Sequence, residues 1–349
     1  MIPTFGLPTC HRGSAGRRAL TFIESVATLC VLALLTAIIA PALAEVGRRG
    51  KDAVCLQNLA RIAQASIVYS TLDPDGQAIP IHVQQFMVPY PYYLRVGPVL
   101  YGGKSGRGRA EGDAMWWGTK NGKGPATRPL NQILYRDAFP DYTSNPGSGR
   151  ANWLSDERLD LDVFRCPSDG GWTGGMHNQY WIDSKLSSFD HYGTSYSANI
   201  MWIGACCGGC CDSNSPYAHR LSDIPSPART ISYQEYCGRW AYWYEPVPPG
   251  CPEEVGVVGG WHGQDWLFNV SFVDGHAEPV EIRGRFAPDI GHYPLADWSF
   301  WRRVMARGPN WQLDTLPLMP TYFPFERCPP GSAPGADDYS APRQLIPPG

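Results

Sequence analysis

Charged side chains are scarce in this sequence, and their signs nearly balance. Asp, Glu, Lys and Arg make up 17% of its 349 residues and leave a formal net charge of -3. Nucleic-acid-binding domains concentrate basic residues on one face, so we expect no nucleic-acid partner. The sequence also lacks the His-Glu-x-x-His and Gly-x-Ser-x-Gly signatures of hydrolases, and it contains no internal repeat. We therefore predict that the protein is not an enzyme and uses no cofactor.

Glycine, proline and cysteine, in contrast, are abundant. The 38 Gly and 33 Pro residues predict extensive loops between short regular elements. The 11 cysteines would be unusual in a reducing cytosol, so they favour an oxidising compartment outside it.

One long stretch has no charged side chain at all. From Ser25 to Ala44 the chain is mainly Val, Leu, Ile and Ala, which matches the roughly 20 apolar residues that cross a bilayer as a helix. Beyond it, apolar residues recur at helical spacing. These are Val46, Val54, Leu56, Leu59, Ile62, Ala63, Ile67 and Val68. We predict one helix over residues 20–72, with a membrane span in 20–44, ended by the turn-forming Asp73-Pro74-Asp75-Gly76.

Glu24 is unexpected in this setting, because a carboxylate in a membrane helix costs roughly 2.5–3.5 kcal/mol on insertion scales. The segment Ala19-Leu20-Thr21-Phe22-Ile23-Glu24 resembles the type IV prepilin motif, in which a peptidase cuts before the first hydrophobic residue. If Leu20 is the first mature residue, Glu24 is the fifth and Pro41 the twenty-second, which are the family's positions for Glu and Pro. The family usually has Gly and Phe where this chain has Ala19 and Leu20.

The resemblance implies a structural subunit that a prepilin peptidase cleaves and N-methylates at Leu20. Such subunits assemble with other pilin-like subunits into a type II secretion or type IV pilus-like filament. In that setting Glu24 would pair with the α-amine of a neighbouring subunit in a low-dielectric core, and Pro41 would kink the helix. The chain would then cross the inner membrane once, with a cytoplasmic leader at residues 1–19 and an extracytoplasmic remainder.

Two alternatives remain open at the level of sequence. Ala42-Leu43-Ala44 before Glu45 is an acceptable signal-peptidase site, so the apolar stretch could be removed as a secretory signal. The protein could also be a membrane-anchored or secreted binding module that never polymerises. The aromatic segment at residues 240–244, which alternates like a strand, would then contact a glycan or an envelope protein.

Further segments resemble a branch of large pseudopilin-like proteins with a C-terminal His-x9-Asp-Gly signature. The signature residues are Cys55, Asn58, Cys166, Pro167, Asp169, His262, Asp274 and Gly275. In the family nine residues separate His from Asp-Gly, whereas eleven separate His262 from Asp274 here. A two-residue insertion in the loop at 263–266 would reconcile the two spacings.

The fold class that we predict is α+β. A long N-terminal helix would pack on a small antiparallel sheet, in a loop-rich head that spans residues 73–307 and precedes a Pro-rich tail at 308–349. Alternating apolar residues predict strands at 194–199, 230–236, 267–273 and 276–282, and Asp274-Gly275 is a strong hairpin signal between the last two. We expect short helices at 130–137 and 297–307.

Two groups of residues could hold a metal or form covalent links. Cys207 and Cys210 have zinc-ligand spacing, but no second Cys-x-x-Cys completes the set, so we favour disulfides over a metal or a redox pair. The candidate disulfide cysteines are Cys166, Cys206, Cys207, Cys210, Cys211, Cys237, Cys251 and Cys328. His262, Asp274 and His276 are weaker metal candidates, because an Asp-Gly hairpin needs its Asp for backbone reasons alone.

Overall fold

A computed structural model describes residues 21–82, 97–107, 118–119, 122–135, 155–173, 185–199, 216–217, 219–241, 258–282 and 310–313. The chain divides into two units, of which the first ends at Arg48 and the second begins at Arg49. The helices are α1 (Phe22–Leu72), α2 (Pro129–Leu134), α3 (Ser188–Tyr192) and α4 (Gly238–Ala241). The strands are β1 (Tyr196–Ala198), β2 (Ile231–Glu235), β3 (Leu267–Phe272) and β4 (Ala277–Glu281). A long N-terminal helix with a small antiparallel sheet confirms the predicted α+β class.

The part of α1 in the first unit is apolar and exposed. Phe22, Ile23, Leu29, Leu34 and Ile38 are all more than 60% exposed. Among the described helices, α1 is long and apolar enough to cross a membrane, and it is continuous through Pro41. These two properties agree with the predicted helix and its membrane span.

The part of α1 in the second unit buries one face in the core. The buried residues are Cys55, Asn58, Leu59, Ile62, Ala63, Ala65 and Ser66. They recur at intervals of three and four residues, as an amphipathic helix requires. Two residues of the predicted face, Val54 and Val68, are instead 43% and 48% exposed, and Val46, which belongs to the first unit, is 67% exposed. The prediction was right at Leu59, Ile62 and Ala63, which are buried. It missed Cys55, Asn58 and Ser66 because it followed apolar residues alone, whereas these three are buried through contacts with other segments.

The sheet has four strands in the order β1-β2-β3-β4, and each neighbouring pair is antiparallel. All four lie within the predicted strand segments. The central strand β2 is buried along its whole length. Tyr233 and Glu235, which are two residues apart and so share a face, both contact α1. The Tyr233 hydroxyl lies 2.5 Å from Ser66 Oγ, and Glu235 Oε1 lies 3.2 Å from Cys55 Sγ.

Other predictions met mixed outcomes. Helix α2 overlaps the segment predicted as helical, but it begins one residue earlier, at Pro129, and ends at Leu134. Residues 240 and 241, where the aromatic strand was predicted to begin, instead belong to α4, and the rest of that segment lies outside the described residues. The predicted helix at 297–307 also lies outside them. Trp311 and Leu313, from the predicted Pro-rich tail, are buried in the core, and residue 312 bridges to Thr230 beside β2.

Candidate metal centre

Four side chains that are far apart in the sequence meet in the core of the second unit. They are Cys55 of α1, Cys166 of a loop, Glu235 at the end of β2, and His262 of the loop before β3. All four residues are buried. Each residue offers one potential ligand atom, which is a sulfur, a nitrogen or an oxygen. These four atoms all lie within 4.8 Å of one another. We call these four residues the Cys-Cys-Glu-His cluster.

The contacts inside the cluster are close. Glu235 Oε1 lies 2.9 Å from His262 Nε2 and accepts a hydrogen bond from Cys55 Sγ at 3.2 Å. Cys166 Sγ lies 3.5 Å from the same His262 nitrogen. Glu235 is completely buried, and its second oxygen, Oε2, has no hydrogen-bond partner among the described residues. A carboxylate oxygen in that position is costly unless a cation or a donor compensates it.

Cys166 is held by the turn Cys166-Pro167-Ser168-Asp169. The amide of Asp169 donates to the Cys166 carbonyl at 3.0 Å, which closes the turn. The partly buried Asp169 carboxylate accepts hydrogen bonds from the amides of Gly171, Ser188 and Phe189 and from the Ser195 hydroxyl. The Cys166 amide in turn donates to the Ser195 oxygen at 2.9 Å. The turn is thereby tied to the start of α3 and to the residues before β1, which sets the direction of the Cys166 side chain.

His262 is positioned by its neighbour and by a tight turn. The Trp261 indole donates to the Gly171 carbonyl at 2.8 Å, so the loop before β3 is attached to the segment that follows Asp169. Gly263 has a φ of 79°, a left-handed conformation that favours glycine. The turn therefore carries His262 back towards β2 and α1.

A second layer of polar groups surrounds the cluster. Asp52 lies one helical turn before Cys55, and its Oδ1 atom lies 3.6 Å from the second ring nitrogen of His262. The side-chain amide of Asn269 donates to the same Asp52 oxygen at 2.6 Å. The Tyr196 hydroxyl donates to Cys55 Sγ at 3.4 Å. A carboxylate behind an imidazole is the usual arrangement behind a metal-bound histidine.

The electrostatics reflect this burial. Burial raises the pKa of the Cys55 thiol well above its usual value, and it also raises the pKa of Cys166. Burial acts to lower the pKa of His262, but its contacts with Cys55 and Glu235 outweigh that effect and raise the pKa to about 10. Without a bound ion, the cluster therefore favours protonated thiols and a protonated imidazole.

The predicted residues divide between this cluster and other places. Cys55, Cys166 and His262 belong to it, and Asn58 supports it by donating to the carbonyls of Asp162 and Arg165 just before Cys166. Asp274 and His276 instead pair with each other in the β3–β4 turn. They lie at the far end of β3 from His262, and six strand residues span about 20 Å. The three weak metal candidates His262, Asp274 and His276 therefore do not come together.

The disulfide predictions meet a similar outcome where the structure describes them. Cys166 and Cys237 both carry free thiols, which corrects the prediction that they form bridges. The reason is their surroundings, since Cys166 faces the cluster and Cys237 is enclosed where β2 ends. The other candidate cysteines, including Cys207 and Cys210, lie outside the described residues.

Comparisons with known protein families, with curated proteins and with solved structures find no match to this chain.

Sequence reasoning missed Glu235, Asp52 and Tyr196. Glu235 carried a signal, because it follows Ile231 and Tyr233 at two-residue spacing and so occupies a core position of an otherwise alternating strand. The signal for Asp52 was weaker: it is three residues before Cys55 and therefore on the same face of the helix. Nothing local distinguished Tyr196 from an ordinary core tyrosine.

Proposed function

We propose that the protein is a pilin-like subunit that is anchored by α1, is processed by a prepilin peptidase before Leu20, and assembles through its N-terminal helix. The observation that carries the proposal is the helix itself. It begins at Phe22, two residues after the proposed cut, and continues through Pro41 into the core of the second unit. Its uncharged stretch is exposed, as a surface that meets lipid or neighbouring helices would be.

A second observation supports the proposal. The segments on which the resemblance rests are distant in sequence, yet Cys55, Asn58, Cys166 and His262 meet around one cluster. In this proposal the second unit, which contains them, lies outside the cytoplasm, and the leader at residues 1–19 is cytoplasmic. Ala19 and Leu20 themselves lie outside the described residues.

Glu24 could act as a helix cap or as a charged partner in assembly, and an experiment has to distinguish these two roles. Its carboxylate accepts hydrogen bonds from the amide and the hydroxyl of Thr21 at 2.8 and 2.9 Å, and its own amide donates to the Thr21 hydroxyl. This is a capping box, which satisfies free amides at the start of a helix. The other role is the one proposed for assembly, in which the carboxylate neutralises the α-amine of the next subunit.

Two substitutions distinguish these roles. Glu24→Gln keeps a side chain that can complete the capping box but removes the charge, whereas Thr21→Ala removes the cap and keeps the charge. We expect Glu24→Gln to insert in the membrane and fail to assemble, while Thr21→Ala assembles. Cross-linking between copies through Cys30, an exposed thiol on α1, measures assembly, and Cys30→Ser is the control. The reverse pattern would mean that Glu24 serves only as a cap.

The N-terminal residue and its mass test processing directly. A membrane-fraction chain that begins at N-methylated Leu20 supports the proposal. A chain that begins at Glu45 would show that the apolar stretch was removed as a signal peptide, and an intact leader would indicate a plain membrane anchor. Either of these results would refute the proposed processing.

A further inference from the structure

The Cys-Cys-Glu-His cluster has the dimensions of a tetrahedral metal site. Zinc binds sulfur at about 2.3 Å and nitrogen or oxygen at about 2.0–2.2 Å, so the edges of its ligand tetrahedron are about 3.3–3.8 Å long. Three of the six separations between ligand atoms in the cluster are 3.2, 3.5 and 2.9 Å, and all six are within 4.8 Å. A displacement of a few tenths of an ångström would bring the shortest of them, between Glu235 and His262, into that range.

The chemistry of the four groups also selects for a metal and limits its identity. Thiolates are soft ligands that favour zinc, copper(I) or iron, and an imidazole with a carboxylate fits zinc well. Four protein ligands with no access for substrate are typical of structural zinc sites rather than catalytic ones, which keep an open position. Hydrogen bonds within the cluster do not explain its composition completely, because Glu235 Oε2 is fully buried and has no partner among the described residues.

The surrounding groups fit the same interpretation. Asp52, held by Asn269, faces the His262 nitrogen that points away from the cluster centre, as expected of a carboxylate that orients a metal-bound imidazole. Tyr196 donates to Cys55 Sγ, and a hydroxyl donor of this kind stabilises a thiolate ligand. Polar groups therefore lie close behind both ligands, although Asp52 at 3.6 Å is slightly beyond hydrogen-bond distance of His262.

We propose that Cys55, Cys166, Glu235 and His262 bind one Zn²⁺ ion in a closed tetrahedral site. The ion joins α1, the Cys166 turn, the end of β2 and the loop before β3. Zinc binding also keeps two neighbouring thiols from forming a disulfide with each other. This proposal concerns the second unit alone and does not depend on processing or assembly.

The metal content of the full-length chain, purified in detergent without chelators, tests the proposal. We expect one zinc per chain by elemental mass spectrometry. After removal of the metal under reducing conditions, Co²⁺ should give the intense visible bands of tetrahedral cobalt and a thiolate-to-cobalt charge-transfer band. Cys55→Ser and Cys166→Ser should lose the charge-transfer band or weaken it strongly. Cys237→Ser, which changes another buried free thiol, should retain it.

Two further variants guard against misinterpretation. The double replacement Cys207→Ser and Cys210→Ser removes the other pair with zinc-ligand spacing, and it should leave the stoichiometry and the cobalt spectrum unchanged. Asp52→Asn keeps all four ligands and should weaken zinc affinity about 10–100-fold in a chelator competition. An unchanged affinity in Asp52→Asn would overturn the assignment of His262 as a ligand that Asp52 orients.

Two results would overturn the site itself. One is a disulfide between Cys55 and Cys166, found by peptide mapping of the protein as isolated. The other is a wild-type chain with both thiols reduced that binds no stoichiometric zinc or cobalt. Because both measurements use the unmodified protein, neither depends on whether a variant folds.

Discussion

The amide of Asn58 should contribute far more to stability than that of its neighbour Gln57. Asn58 Nδ2 donates to the carbonyls of Asp162 and Arg165, both at 3.0 Å, and the residue is 5% exposed. Gln57, the preceding residue of α1, is exposed to solvent. The two residues therefore carry the same functional group one position apart, one in the core and one in solvent.

The magnitude follows from what Asn58→Ala leaves behind. The Asp162 carbonyl keeps a hydrogen bond from the Arg165 amide, so its loss is about 1 kcal/mol. The Arg165 carbonyl loses the side-chain donor that the structure gives it. This hydrogen bond is partly buried, and leaving such a carbonyl unsatisfied costs about 1–3 kcal/mol. The sum is a loss of about 2–4 kcal/mol in the free energy of unfolding. Gln57→Ala should change it by no more than about 0.5 kcal/mol, as is usual for surface positions.

Urea unfolding of the full-length chain in detergent, followed by tryptophan fluorescence, measures both variants. Asn58→Asp provides a third arm, because it keeps the shape of the side chain but replaces both donors with acceptors. We expect it to destabilise at least as much as Asn58→Ala. If Asn58→Ala and Gln57→Ala lose the same stability, then the two hydrogen bonds do not attach α1 to the Cys166 segment, and the reasoning fails.

Two more predictions concern pH and backbone geometry. Burial, together with nearby cations, lowers the pKa of His82 to about 3. As the pH falls below about 6.5, His82 is therefore protonated in the unfolded chain but stays neutral in the folded one. Wild type should therefore lose about 2–3 kcal/mol more than His82→Gln between pH 7 and about pH 4.5, and equal losses in urea titrations would refute this. Gly193 has a φ of 92°, and a Cβ there would overlap the Lys104 carbonyl oxygen. Gly193→Ala should cost about 2–4 kcal/mol, whereas Gly170→Ala, which meets no atom within 4 Å, should cost under about 1 kcal/mol in the same assay.

Much of the fold was predictable because it depends on local patterns. The uncharged stretch at 25–44 and the turn chemistry at 73–76 predict the extent of α1 from chain chemistry alone. Alternation and the Asp274-Gly275 signal likewise predict that β3 and β4 form a hairpin. The observed register, with Ser271 opposite Ala277, differs by one residue from that of a two-residue turn at 274–275.

The buried face of α1 was only partly predictable. Hydrophobic periodicity identifies residues that prefer the core, such as Leu59 and Ile62. It does not identify Cys55, Asn58 and Ser66, which are buried because their polar atoms find partners on other segments. Those partners are more than 100 residues away in the chain, beyond any local signal.

By itself, the sequence determined that a long apolar helix leads into an α+β unit with an antiparallel hairpin. These features arise from the spacing of residues that are close together in the sequence. Only the tertiary structure decided that His262 joins Cys55, Cys166 and Glu235 rather than Asp274 and His276. That choice depends on which loop ends meet when β2 packs between β1 and β3 with α1 across one face. The topology of the fold brings these residues together, whereas the sequence had grouped His262 with Asp274 and His276.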